Sequence, residues 1–294
     1  MARLHLGLIL PNYGDALDAE HLAAAAVVAE KAGFDSGWVT DHVLVPPEHA
    51  SIYGTIAEPL VALGFLAGRT RTLELGVSAL VVPQRNPLVA LKQLTSLDFL
   101  SGGRLVTAVA AGWMEGEFAT LGAPFDSRGR LLDEWLDAAV AVFRQTPGLV
   151  RWEGELLSFE GWLAPALVRP GGPELWVAGV SRATLRRAAK TGVWHPVALP
   201  VDELRPMAAE LRERRPDARV VLRIGVSFAS EPRPGLDERG RHAIAGPTEW
   251  IAERLAEYAE AGCDGFVVNL EHDRPGLEER ILRFADEVRP RTSA

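Results

Sequence analysis

Asp41 and His42 stand side by side where the run Trp38-Val39-Thr40 ends. An imidazole gives or takes a proton near neutral pH, and a neighbouring carboxylate can orient it or stabilise its charge. The same dipeptide can equally cap backbone groups at a loop entry. A second group is Gly179-Val180-Ser181 followed by Arg182. If a helix starts there, its free backbone N–H groups suit a phosphate, although Gly and Ser are also ordinary capping residues. His42, His195 and His272 could in principle surround a metal, as in barrel hydrolases. Those sites usually add a His-x-His on the first strand, and only His5 is there, so no metal site is expected. Trp38, Trp113, Trp176 and Trp194 are each core or rim candidates, and as a set they are compatible with an aromatic-lined pocket. Gly-x-Gly-x-x-Gly, Gly-Lys-Ser/Thr and Gly-x-Ser-x-Gly do not occur, which excludes Rossmann, P-loop and nucleophile-elbow readings.

These residues need elements to hold them. Short apolar runs alternate with longer stretches of helical period, the pattern of βα units around a parallel sheet. Strands are predicted at Leu4–Leu10, Asp35–Thr40, Leu73–Val82, Leu105–Ala110, Glu174–Ala178, Val193–Ala198, Arg219–Phe228 and Gly265–Asn269. Helices are predicted from Asp18 to Ala32, over Ala57–Gly68, and from Pro87 to the stop at Ser101-Gly102-Gly103. Five more follow: Gly129–Gln145, Ala183–Lys190, Asp202–Arg214, the stretch after Pro247 to Gly262, and Leu277–Val288. Thr146–Pro173, with Pro147, Pro165, Pro170 and Pro173 and an extended piece at Leu156–Phe159, reads as an insertion between helix four and strand five. The expected fold is a (β/α)8 TIM barrel, one domain over residues 1–294. A doubly wound open sheet rarely needs so many units.

Active sites in this barrel form at the carboxyl ends of the strands. That rule selects Asn12 and Tyr13, Asp41 and His42, Pro83 to Asn86, Gly112 to Glu117, Gly179 to Arg182, His195, Ser230, and Glu271 to Asp273.

Of the 294 residues 48% are apolar, enough for a sizeable core. A net charge of −8, from 31 basic and 39 acidic side chains, opposes general nucleic-acid binding. Cys263 is the single cysteine, so neither an intramolecular disulfide nor a cysteine-based zinc site can form. No leader-like opening and no apolar run of about 20 residues is present, so a soluble, cytoplasmic protein without membrane partners is expected.

The run from Leu75 through Val77-Ser78-Ala79 and Pro83 to Asn86-Pro87 resembles the third strand and loop of the luciferase-like monooxygenase family. So does Leu97 to Ser101-Gly102-Gly103-Arg104, followed by Val109 to Gly112-Trp113 and Glu117-Phe118. Pro124 to Arg128 and Glu134 continue the match, and Gly246-Pro247-Thr248-Glu249, Tyr258 to Gly262 and Phe266-Val267-Val268 close it. The resemblance implies a barrel whose wide pocket holds a flavin or deazaflavin ring. It also implies a non-proline cis peptide behind that ring, at Ser78–Ala79.

Trp38-x-x-Asp41-His42 resembles the F420-dependent branch. In that branch the histidine lies beside C5 of the deazaflavin and aids hydride transfer, so His42 takes that role and Asp41 supports it. Ser78, Ala79 and Asn86 would line the ring, Gly112 and Trp113 shape the pocket, and Gly179, Val180 and Ser181 hold the cofactor's phosphate. F420 carries carbon where flavin carries N5, which favours hydride exchange over oxygen chemistry. The expected activity is F420-dependent hydride transfer to or from a small organic molecule. An FMN-dependent monooxygenase and a non-catalytic cofactor-binding barrel are the alternatives.

The sequence also departs from its relatives. Trp113 stands where sugar-phosphate dehydrogenases of the branch carry a proton-donating Glu; Glu115 or Glu117 could supply a carboxylate, or Glu117 could cap the following turn. Val193 precedes Trp194 where many relatives have Asp-Gly-Trp. The Pro-rich insertion and Ser230–Gly246 are candidate lids. Helices two and three are apolar enough for burial beyond a barrel's shell, and relatives dimerise on that side, so a homodimer is implied; ordinary packing on the strands is the other reading.

Overall fold

A computed structural model describes residues 3–15, 17–233, 235–236 and 240–292. In chain order the strands are β1 (His5–Ile9), β2 (Ser36–Val39), β3 (Glu74–Val81), β4 (Leu105–Ala110), β5 (Gly148–Glu153) and β6 (Ser158–Leu163). They continue with β7 (Glu174–Ala178), β8 (Val193–His195), β9 (Arg219–Phe228), β10 (Ala243–Gly246) and β11 (Gly265–Asn269). The helices are α1 (Ala19–Lys31), α2 (Ala50–Tyr53), α3 (Pro59–Arg69), α4 (Pro87–Ser101), α5 (Glu115–Leu121) and α6 (Arg128–Gln145). After the insertion come α7 (Arg182–Thr191), α8 (Val201–Arg214), α9 (Thr248–Glu260), α10 (Leu277–Arg283) and α11 (Arg289–Thr292).

The sheet runs β10-β9-β11-β1-β2-β3-β4-β7-β8, and a further β9–β8 pairing closes it. Eight strands, all but β10 and the β5–β6 pair, make a closed parallel barrel with helices between them: the (β/α)8 fold expected from the alternation. The strands read as continuous apolar runs because parallel strands are covered on both faces, as in the fully buried Gly37-Trp38-Val39 of β2.

Punctuation in the sequence ends the helices where it should. Asp18 accepts from His21 N–H to start α1, Asn86 accepts from Leu88 and Val89 N–H to start α4, and Pro87 occupies the first turn. Gly102, at φ +70°, closes α4 in the left-handed conformation that glycine adopts without penalty.

Four features depart from the expected rhythm. The insertion contains an antiparallel hairpin, β5 with β6, in register Gly148↔Leu163 to Glu153↔Ser158. The sixth barrel strand stops at His195 instead of Ala198, because Pro196 has no N–H for the ladder. An added strand, β10, lies parallel to β9 within the Ser230–Gly246 stretch; Pro234, Asp237, Glu238 and Arg239 of that candidate lid lie outside the described residues. The short helices α2 and α5 are additions that the periodicity does not announce.

Two compact units are distinguished within the chain: residues 1–11, 15–38 and 176–294, and residues 12–14 and 39–175. In the first, Trp38 packs on Trp176 at 4.6 Å between ring centroids and stacks with His195 at 5.4 Å. In the second, α3 packs on α4, and Leu63, Leu94, Phe118 and Trp135 are fully buried. Among the described residues no helix is long and apolar enough to cross a membrane.

Candidate active site

The second unit holds the Asp41-His42 pair. The chain leaving β2 is held by Asn12, whose Oδ1 accepts from Thr40 N–H at 2.8 Å and whose Nδ2 donates to the carbonyls of Thr40 at 2.8 Å and Ala57 at 3.1 Å. Asn12 is fully buried, and its one amide serves three backbone groups. The direction in which Asp41 and His42 leave the barrel is thereby set.

Asp41 does not orient the imidazole. Its Oδ2 accepts from Val81 N–H at 2.8 Å and from Arg85 Nη1 at 2.7 Å, while Oδ1 accepts from Arg85 Nη2 at 2.6 Å. Burial pushes the Asp41 carboxyl up against the pull of Arg85. Three donors at these distances require the ionised carboxylate, and that is the form this geometry supports. Burial by itself would lower the Arg85 pKa; the charges of Asp41 and Glu58, the latter 3.2 Å from Nη2, reverse this and raise it. The physical reason for the correction is competition for the carboxylate: Val81 N–H and the Arg85 guanidinium occupy both oxygens of Asp41.

The carboxylate on His42 is Glu117, from the first turn of α5. Its Oε2 lies 3.0 Å from His42 Nδ1 and accepts from Gln84 Nε2 at 2.9 Å. Its Oε1 accepts from the N–H groups of Val43 at 2.6 Å and Leu44 at 3.2 Å. Glu117 is 1% exposed. Burial pushes its carboxyl up, but the hydrogen bonds from His42, Val43 and Gln84 outweigh that and hold its pKa down at about 2. An ionised carboxylate only accepts, so Nδ1 of His42 carries the proton, and Nε2 is the ring nitrogen through which a proton can be exchanged. Gln84 Oε1 is buried and has no hydrogen-bond partner among the described residues. Turning the amide over would aim that oxygen at Glu117, so the orphan acceptor accompanies a donor that the carboxylate needs.

Aromatic rings surround the imidazole. Tyr53 from α2 lies 4.2 Å away between centroids, Trp113 meets His42 edge-on at 6.3 Å, and His49 meets Trp113 at 5.3 Å. Trp113 is 60% exposed, which places it on the rim and not in the core. Gly112 has φ +89°, and a Cβ there would come within 2.6 Å of Val81 and 2.7 Å of Phe118, so the turn into Trp113 requires glycine.

Ser78 is buried and Ala79 half-buried on β3, and the Ser78–Ala79 peptide is cis as expected. It falls where the register of β3 against β4 shifts, between Val77 and Leu80. Asn86 is exposed and its side-chain oxygen is engaged as the cap of α4.

The first unit holds the other expected residues. Gly179 has φ +124° and its carbonyl accepts from Trp194 Nε1 at 2.8 Å. Val180 is 50% exposed, and Ser181 caps α7 by accepting from Thr184 N–H at 3.2 Å. His195 is fully buried with Nδ1 2.7 Å from the Val221 carbonyl; burial pushes its pKa down to about 3. It belongs to the aromatic core. His272 is buried with Nδ1 2.9 Å from Asn269 Oδ1. No group of three or more His, Cys, Asp or Glu side chains is gathered for a metal among the described residues.

Sequence reading singles out His42 and offers Glu117 as a possible carboxylate, but it pairs His42 with Asp41 and does not foresee the contacts of Glu117 with His42 and Gln84. The available signal is an acidic residue in the first turn of a short helix after the fourth strand's loop, which capping explains equally well.

Comparison with known proteins agrees with the fold. The luciferase-like monooxygenase model matches residues 9–238. An alkanal monooxygenase alpha chain of Photorhabdus luminescens is 26% identical over 184 residues, 62% of this chain and 49% of its own length. The chain spans about half the length of the first curated relatives it matches. An uncharacterised protein of Mycobacterium bovis is 25% identical over 276 residues, 88% of this chain and 89% of its own.

Among solved structures, the coenzyme F420-dependent tetrahydromethanopterin reductase of Methanopyrus kandleri superposes with a TM-score of 0.80 at 17% identity, covering 98% and 99% of the two chains. An F420-dependent secondary alcohol dehydrogenase superposes with a TM-score of 0.75 at 18% identity, covering 99% of each. With a family match over more than half its length, on a closed eight-stranded parallel barrel, this chain belongs to the luciferase-like monooxygenase family.

Proposed function

We propose that the protein is an F420-dependent oxidoreductase that moves a hydride between C5 of the deazaflavin and a small organic substrate. The observation that carries this reading is the buried Glu117–His42 pair, 3.0 Å apart, beside exposed Trp113. The residues suit a planar redox ring: the donor set offers an oriented imidazole for proton exchange, with aromatic edges around it and, among the described residues, no cluster of metal ligands. When bound, the deazaflavin supplies the hydride-accepting or hydride-donating carbon.

The chain's own residues do the rest. Glu117 holds Nδ1 protonated, so Nε2 can take the proton from a substrate hydroxyl during oxidation or return it to a carbonyl during reduction. Arg85 and Asp41 lock the segment carrying His42 to the end of β3. In the second unit Ser78 and Ala79 would lie against the ring and Gly112 and Trp113 would bound the pocket; in the first, the N–H groups of Gly179, Val180 and Ser181 suit a phosphate. Asn86 has its oxygen committed to α4, which argues against a contribution to the ring site.

Titration of the purified protein with F420 and with FMN, followed by absorbance and fluorescence, tests this reading. Saturable F420 binding with FMN ignored is expected. Preference for FMN would move the protein to the monooxygenase reading, which its similarity to the alkanal monooxygenase chain favours. Tight F420 binding without turnover, unaffected by His42→Ala, would favour a non-catalytic carrier.

A further inference from the structure

Consecutive residues after β3 grip the two buried acids of the second unit's site. Gln84 Nε2 donates to Glu117 Oε2 at 2.9 Å, and Arg85 holds Asp41. The footing of Gln84 is firm. It closes a short 3-10 turn, Val82–Gln84, in which every residue is buried and against which α4 and α6 pack.

The four donors to Glu117 are not equivalent. His42, Val43 and Leu44 are consecutive, so three of the four belong to one loop. The first turn of α5 lies on that same loop: a Cβ on Gly116 would come within 2.7 Å of Pro46. Arg85 ties the backbone of the loop to β3 through Asp41. Among the described residues, Gln84 is the one group that ties the Glu117 carboxylate to the end of β3. It also shares Oε2 with His42 Nδ1, so it fixes the oxygen that the imidazole uses. The last torsion of a glutamate is broad, and the contacts of Oε1 with Val43 and Leu44 would let Oε2 swing away. A neutral donor suits the position, because a lysine or arginine there would neutralise Glu117 and weaken its hold on the imidazole proton. The amide stays at a cost. Gln84 is 8% exposed, and its Oε1 is buried without a hydrogen-bond partner, a penalty that an apolar side chain chosen for packing alone would avoid.

We propose that Gln84 is a positioning residue for the His42–Glu117 pair, tying Oε2 of Glu117 to the end of β3 and so keeping the proton of His42 on Nδ1. Its meaning for turnover rests on the reading of His42 as the proton-exchanging group; its geometry does not.

Nitrogen-15 NMR of the His42 ring, assigned by difference from His42→Ala, tests the proposal in alkaline buffer, where imidazoles are neutral. Wild type should carry the proton on Nδ1. Gln84→Met keeps the side-chain length and removes the donor. The preference for the Nδ1–H form should then fall about 10-fold or more, as for loss of a hydrogen bond to a charged group. The same substitution removes the orphan acceptor, so Tm should move by no more than about 4 °C. If Gln84→Met fails to fold, Gln84→Asn keeps the amide but cannot reach Glu117, and should shift the tautomer in the same way. The spectra need no cofactor, so they stand apart from the F420 titration. A wild-type proton on Nε2, or variants that keep the wild-type tautomer, would overturn the proposal. A tautomer shift accompanied by a larger fall in Tm would mark Gln84 as a general prop of the fold and overturn it as well.

Discussion

At the scale of the residue, His42 and Glu117 form a pair in which each has a separate duty. His42→Ala removes the proton-exchanging nitrogen and should lower kcat for F420-linked turnover about 10²–10⁴-fold, the usual worth of a positioned acid–base group. The Kd for F420 should change far less, as single-turnover kinetics beside a binding titration would reveal. Glu117 is a positioning residue. In Glu117→Gln the side chain keeps an acceptor for Val43 N–H but loses the charge that opposes its burial. We expect kcat to fall roughly 10–100-fold with Kd for F420 nearly constant, because the imidazole stays in place but its tautomer is no longer enforced. A parallel loss of binding and turnover would instead mark Glu117 as merely holding the loop together.

At the scale of the element, the fourth strand's loop and the start of α4 show how backbone needs dictate residue choice. Gly112→Ala forces a Cβ into a left-handed turn and against Val81 and Phe118. The two effects together should cost about 2–4 kcal/mol, lowering Tm by roughly 4–10 °C in calorimetry. Asn86→Ala removes the cap of α4 and should cost about 1 kcal/mol of stability in denaturant titration while F420 affinity stays within about two-fold. A selective loss of F420 affinity would return Asn86 to the ring site.

At the scale of the whole molecule, buried titratable groups tie stability to pH. The folded pKa of His195 is about 3 against an ordinary value of 6.5, and that of Glu117 about 2 against 4.5. Both are depressed, so between folded and unfolded values the unfolded chain binds more protons, and stability rises with pH. Acidification should therefore weaken the fold first between about pH 6.5 and 4.5 through His195, by at most about 1.4 kcal/mol per pH unit, and more steeply below 4.5 as Glu117 joins. Urea titrations at pH 7.5, 5.5 and 4.5 measure this; a His195→Phe variant that folds should lose the upper part of the dependence. A stability independent of pH across that range would contradict the burial of His195 as a neutral core group.

The barrel was legible in the sequence because it is written in local terms. Alternating apolar runs and helical stretches, Asp18 and Asn86 as caps and Gly102 as a stop are decided within a few residues by propensity and hydrogen bonding. The likeness of Leu75–Pro87 to a known strand and loop likewise located the cis Ser78–Ala79 peptide. The partner of His42 was not legible. Adjacency pointed to Asp41, but Arg85 and Val81 claim that carboxylate, and Glu117 reaches the imidazole from 75 residues away. The hairpin of the insertion and the added strand β10 arose in the same way. Periodicity and spacing record what a residue can do; the path of the chain decides which residues meet, because the energy of a buried charge depends on its neighbours in space, not in sequence.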